Sequence, residues 1–244
     1  LGQIAYRQAT GEIIEAFAVD ADEWAKMCAE PLGTYIMPET HWPALLKVSI
    51  RGLRFFAHAS GYKGEKPKNE SYAHTRLKID VVKAARELGY KADLEVCGES
   101  PDGFKWRADV MVTDHNGQQT AFEIQMSSQT LAEYRRRTER YTLSGVRCCW
   151  VLMYKLGSSR LHHLEHAIHC ENQDFCKETG LVQIEDDRLV TLRVMLEGTD
   201  TYPEKRPTLF LRQHFPIEQL QMPEAIDRVV QNKLHWARPR WRWT

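Results

Sequence analysis

A chain of 244 residues with 43% hydrophobic content can bury one sizeable core and carry appendages. Its formal net charge is zero, which excludes a uniformly basic nucleic-acid binder and leaves any such footprint local. No apolar run is long enough to span a membrane, nothing at the start reads as a signal peptide, and the six cysteines lie mostly in apolar contexts, so the chain reads as cytoplasmic with reduced thiols.

Residues 1–62 read as a small β-rich domain. It opens with a hairpin around Thr10-Gly11. Asp20 then caps a short helix through Cys28, and short strands are expected near 33–37 and 45–57. The polar stretch 61–69 reads as a linker. Residues 70–88 form the clearest helix, capped by Asn69 or Ser71 and ended by Gly89. Ala73, Leu77, Val81, Ala84 and Leu88 make its buried stripe. Glu70, His74 and Lys78 make a second stripe, rotated by about 100° from the first. Such a stripe either looks into a cleft at the sheet edge or forms ordinary i,i+4 surface pairs. Residues 90–97 supply the first strand of the sheet.

Next comes a hairpin. Alternation predicts strands over 106–113 and 119–126, with Asp109 and Glu123 on corresponding faces. The segment D-H-N-G between them predicts a three-residue loop with Gly117 in the left-handed conformation. That register pairs Asp114 with Gln118 and places Asp109 opposite Glu123. Facing like charges destabilise a sheet, and a hard cation such as Mg²⁺ would compensate them. The competing reading is a solvated face with two unrelated acids.

Residues 129–143 predict a helix capped by Ser127 or Ser128, with Leu131, Tyr134, Thr138 and Tyr141 on one stripe. Arg135, Arg136, Arg137 and Arg140 crowd it; they make a phosphate-gripping set, of which at least two read as an ordinary solvated face. The apolar run 147–154 suits a strand buried on both faces, giving a right-handed parallel strand–helix–strand unit. Residues 156–244 read as an appendage. A short helix, strands near 181–185, 188–195 and 208–213, and a helix from Pro223 to His235 are expected there. His162, His166, His169, Cys170 and Cys176 have loose zinc spacing without a CxxC pair, and read more readily as helix surface. The tail 235–243 interleaves tryptophan with arginine. It suits packing against a missing segment or protein partner, or stacking on bases.

The order and motifs resemble the PD-(D/E)xK nuclease superfamily, and more closely the competence protein CoiA-like family. The residues that carry the resemblance are E-S-Y-A-H-T-R-L-K at 70–78, Glu95, R-A-D-V at 107–110, E-I-Q-M-S-S at 123–128, R-T-E-R-Y at 137–141 and G-V-R-C-C-W-V-L at 145–152. F-F-A-H at 55–58 matches separately. The resemblance implies an α/β (α+β) fold: a restriction-endonuclease-like core over 63–155, with a mixed central sheet flanked by helices. It also implies Asp109 and Glu123 as metal ligands, Gln125 at the third signature position, and His74 and Lys78 as catalytic groups from the first helix. The Ile124 carbonyl is a further candidate ligand, and Glu70, Glu95 and Tyr141 are candidate auxiliary residues.

The implied activity is Mg²⁺- or Mn²⁺-dependent hydrolysis of DNA, in competence, DNA processing or phage defence. The alternative is a nuclease-like module that binds nucleic acid without cutting. Three departures bear on the choice. Gln125 stands where the superfamily usually has lysine, Ala73 where the family often has glutamate before the histidine, and M-P-E-T at 37–40 where a Cys-Pro-x-Cys knuckle often lies. No structural zinc is therefore expected.

Overall fold

The computed structural model describes residues 2–65, 70–157, 161–211 and 219–244. Two compact units divide the chain, residues 1–75 and 76–244. The first contains strands β1 (Ile4–Arg7) and β2 (Ile13–Glu15), helix α1 (Ala21–Cys28), and strands β3 (Tyr35–Ile36), β4 (Ala44–Val48) and β5 (Arg54–His58). Asp20 caps α1 as expected, accepting from the Glu23 amide at 2.8 Å. The expected strand over 45–57 is a hairpin, because Gly52 turns the chain back at φ +76° and β4 pairs with β5. Strands order as β2-β1-β3 around a core of Ala5, Ile14, Trp24, Met27, Tyr35 and Phe56.

The dividing point at residue 75 falls inside helix α2 (Tyr72–Glu87), one continuous element whose later turns belong to the second unit. Ser71 serves its start, its Oγ accepting from the His74 amide at 3.2 Å. Asn69, the other expected cap, lies outside the described residues, as do 66–69 of the expected linker. Gly89 ends the helix at φ +83°. The strands that follow are β6 (Lys91–Glu99), β7 (Lys105–Thr113) and β8 (Gln119–Gln125); α3 (Leu131–Leu143) and β9 (Arg147–Lys155) come after them. The cap of α3 is Thr130 rather than Ser127 or Ser128. Its hydroxyl accepts from the Glu133 amide at 3.2 Å, so the chain stays extended two residues longer than the serines alone predict.

Helices α4 (His163–Glu171) and α5 (Gln173–Thr179) lead to β10 (Val190–Leu196), β11 (Leu209–Phe210) and β12 (Gln219–Leu220). Then come α6 (Met222–Val230) and the hairpin β13 (Leu234–Ala237) with β14 (Arg240–Trp243). The central sheet orders as β12-β11-β10-β9-β8-β7-β6. Its middle strands β8, β9 and β10 are parallel, and its outer pairs antiparallel. It is therefore a mixed sheet flanked by helices, and three strands from beyond residue 155 extend it. The unbroken apolar sequence of β9 fits its place in the middle, where five consecutive residues are buried. One side of the sheet packs Met111, Ala121 and Trp150 against Tyr134 and Tyr141 of α3 and Leu164 and Ile168 of α4.

Three C-terminal expectations differ from the structure. Residues 181–185 form no strand; Gln183 and Glu185 are buried polar groups instead, and Glu185 pairs with the buried Arg193 at 3.1 Å. The helix expected to reach His235 ends at Val230, because Asn232 adopts φ +56°, a conformation asparagine tolerates better than most residues. Of the strand near 208–213, Leu209–Phe210 is observed, and 212–213 lie outside the described residues. The tail finds its packing surface within its own chain. The Trp241 amide donates to Glu185 at 2.8 Å, and its indole donates to the Asp186 and Leu189 carbonyls at 3.0 Å each. Among the described residues no helix is long and apolar enough to cross a membrane.

Candidate active site

The β7–β8 hairpin has the register its loop predicts. Val110 faces Phe122 and Met111 faces Ala121, and the Asp114 amide donates to Gln118 at 3.0 Å. Gly117 is left-handed at φ +83°. Beyond the Val110–Phe122 pair come Asp109 on β7 and Glu123 on β8. The backbone ladder gives way there: the Ile124 amide donates at 2.8 Å to the Asp109 side chain.

Strict alternation does not survive this point. Trp106 and Ala108 pack in the same cluster as Met111, although an unbroken strand would put them on the other face. Val96, the partner of Ala108 on β6, packs there too. The switch is made at Glu95, which lies at the pairing step between Leu94–Val110 and Val96–Ala108 and has φ +57°. A non-glycine residue in that conformation is strained, and such strain gathers at functional sites.

The kink organises charge. Lys78 of α2 is only 1% exposed, and its ammonium reaches the Glu95 carboxylate and lies 3.9 Å from Asp109. Arg107 approaches the other Glu95 oxygen at 3.3 Å. On the same helix, one turn before Lys78, His74 Nδ1 lies 3.3 Å from Glu70. Carboxylate and imidazole donors suit Mn²⁺, and carboxylates suit Mg²⁺ where water fills the remaining positions.

Glu123 is held from α3. Arg137 donates to one oxygen at 2.6 Å, and the Tyr141 hydroxyl donates to the other. Burial, with the repulsion of Asp109, pushes the Glu123 carboxyl up to about 7. Burial and the same carboxylate push the Tyr141 hydroxyl up. Two acids that oppose each other's ionisation fit a cation between or beside them.

Gln125 is half-exposed at the end of β8, and its amide nitrogen donates to the carbonyl and hydroxyl of Ser127. The four arginines of α3 divide. Arg135 is tied to Asp186 at 2.6 Å and Glu171 at 2.7 Å, and Arg136 to Glu133 at 2.6 Å. Arg137 reaches Glu123, and Arg140 lies over the exposed Phe104 ring. Sequence reasoning missed Lys105 and Arg107 beside them. The available signal was K-W-R at the start of β7, two cations flanking an aromatic. The histidine–cysteine segment resolves into separate pairs, His166 with Cys170 and His169 with Cys176, each at 3.7 Å.

A mixed sheet whose hairpin carries facing acids, fed by a buried lysine and backed by a crossover helix, defines a nuclease-like domain. Residues 70–192, just over half of the 244, match the family described as competence protein CoiA, nuclease-like domain, and the chain belongs to that family. In structure it is similar to the protein of unknown function AF1548, at 10% identity and TM-score 0.29, over 48% of this chain and 56% of that one. It is also similar to a repair endonuclease from Pyrococcus abyssi, at 16% identity and TM-score 0.26, over 52% of this chain and 48% of that one. The chain thus spans about half the length of each. No curated protein matches it in sequence.

Proposed function

We propose that the protein is a Mg²⁺- or Mn²⁺-dependent nuclease that hydrolyses phosphodiester bonds in DNA. The observation that carries this reading is the pair of acids on the β7–β8 hairpin, near enough for Asp109 to oppose the ionisation of the buried Glu123. Asp109 precedes Val110 on β7, and Glu123 follows Phe122, the partner of Val110, on β8. Asp109 and Glu123, with the Ile124 carbonyl, would hold the cation. When bound, such a cation polarises a phosphate oxygen and acidifies water.

The chain's own groups do the rest. With its amide nitrogen committed to Ser127, Gln125 keeps its side-chain oxygen to accept from the attacking water and orient it. It brings no charge, so the positive charge near the reacting phosphate comes from Lys78, which α2 places against Glu95 and Asp109. Arg137, already aimed at Glu123, steadies the phosphate on the α3 side.

One observation favours the binding-module alternative. Both Glu123 oxygens are engaged by Arg137 and Tyr141, an arrangement that also satisfies the acid without a cation.

Labelled linear, circular and single-stranded DNA incubated with Mg²⁺, Mn²⁺ or EDTA separates the two. The nuclease cuts with metal and not with EDTA, and Asp109→Asn abolishes cutting while circular dichroism stays unchanged. Binding without cutting under either metal establishes the module, and equal cutting by Asp109→Asn sinks the site.

A further inference from the structure

Beside Glu123 the sheet and α3 leave a cleft of about 200 Å³. The start of β7 forms one wall with Lys105, Trp106 and Arg107, and α3 forms the other with Arg137 and Arg140. Tyr141 and Glu133 complete the lining. Four of these groups are cations, of which Arg107 pairs with Glu95 and Arg137 with Glu123, and the one carboxylate of the lining is bound to Arg136 at 2.6 Å. In a chain of zero formal charge this is a local concentration of positive charge.

The cleft has an aromatic side as well. The Trp106 indole donates to the Ser144 hydroxyl at 2.9 Å, and its ring packs 5.1 Å from that of Tyr141, so the wall is held in place. At the rim, Phe104 is 51% exposed, and the Arg140 guanidinium lies 4.9 Å from its ring centre. A half-exposed phenylalanine thus stands beside converging cations. Aromatic faces joined to a positive groove are what binds single strands, because every unpaired base offers a face to stack and every nucleotide a phosphate. The space is smaller than the roughly 300–1,000 Å³ of pockets that enclose drug-sized ligands, so it takes one small unit at a time.

We propose that this cleft holds one unpaired nucleotide of a single strand, its phosphate among Lys105, Arg107 and Arg140 and its base against Phe104 and Trp106. The proposal rests on the nuclease reading and names its substrate class. Arg137 lines the cleft and bonds Glu123, so the held nucleotide adjoins the bond to be cut. A duplex, with its bases paired and stacked, offers the aromatic side nothing.

The test is fluorescence anisotropy in EDTA with a short labelled oligothymidine and a duplex of equal length. The parent is compared with Phe104→Ala, Lys105→Gln and Arg140→Gln, none of which removes a core side chain. The parent binds the single strand more tightly than the duplex. Phe104→Ala weakens strand binding roughly tenfold with an unchanged melting temperature. Lys105→Gln and Arg140→Gln each reduce the slope of log K against log salt by about 0.7. Equal binding of strand and duplex, or three variants that all bind like the parent, overturns the proposal. Cleavage assayed in parallel with Mg²⁺ keeps the two readings apart. Variant-sensitive strand binding without cleavage leaves the cleft standing and removes the nuclease. Cleavage with unaltered binding in all three variants does the reverse.

Discussion

Gln125 is the residue on which the chemistry turns. A lysine there would bring charge and orientation together; in this chain the two are divided between Gln125 and Lys78. Gln125→Ala should therefore lower the cleavage rate by roughly 10²-fold, as loss of one positioning contact does, with DNA affinity little changed. Gln125→Lys should retain activity. Steady-state cleavage together with equilibrium binding checks both, and a fall in affinity that matches the fall in rate would make Gln125 a substrate-binding group instead. Much at this scale was legible in the sequence. The loop chemistry of D-H-N-G gives the register as far as Val110–Phe122, the step before Asp109 and Glu123, and R-T-E-R-Y puts Arg137 and Tyr141 one helical turn apart, on the side that reaches Glu123. The approach of Lys78 to Glu95 was not legible, since no local pattern announces a glutamate with φ +57°.

At the scale of elements, that glutamate governs how β6 and β7 meet α2 and α3. The kink lets Leu94 and Val96 serve different packing layers while the pairing register stays constant on either side. Alternation therefore predicts both strands correctly and misassigns the faces of Trp106 and Ala108. The error is physical: the side-chain period is two only while every residue stays extended. The same limit explains the C-terminal third, where a buried Arg193–Glu185 pair and the left-handed Asn232 decide the path and neither leaves a hydrophobic period. The kink makes a prediction of its own. Glu95→Ala and Glu95→Gly both remove the partner of Lys78, but only glycine relieves the backbone. Alanine normally exceeds glycine in stability within a strand; here Glu95→Gly should be the more stable by about 1 kcal/mol, read from urea unfolding midpoints at equal slope. An alanine variant at least as stable as the glycine variant would show that the left-handed conformation relaxes at no cost.

For the molecule as a whole, the facing acids make stability depend jointly on pH and metal. The groups around the Glu123 carboxyl are Asp109, Arg137 and Tyr141. Burial first, and Asp109 second, raise it from 4.5 to about 7 against the opposing pull of Arg137. Between those two values the folded chain holds a proton that the unfolded chain has released. The contribution of Glu123 to stability is thus fully present below about pH 4.5 and declines as pH rises through 7. In EDTA, Glu123→Gln should therefore gain on the parent in melting temperature as pH rises from 5 to 8, because glutamine has no proton to lose. Mg²⁺ or Mn²⁺ binds the ionised site, so it should raise the parent's melting temperature more at pH 8 than at pH 5, by an amount that grows with the logarithm of free metal over its Kd. Asp109→Asn should lose that metal response and, with the repulsion gone, should also flatten the pH dependence. Differential scanning calorimetry on the three proteins, with and without metal, reads all of these together. A parent whose stability rises from pH 5 to 8 relative to Glu123→Gln would mean that Arg137 and Tyr141 hold Glu123 ionised throughout. The acid would then be a structural anion for α3, and the cation would lose it as a ligand.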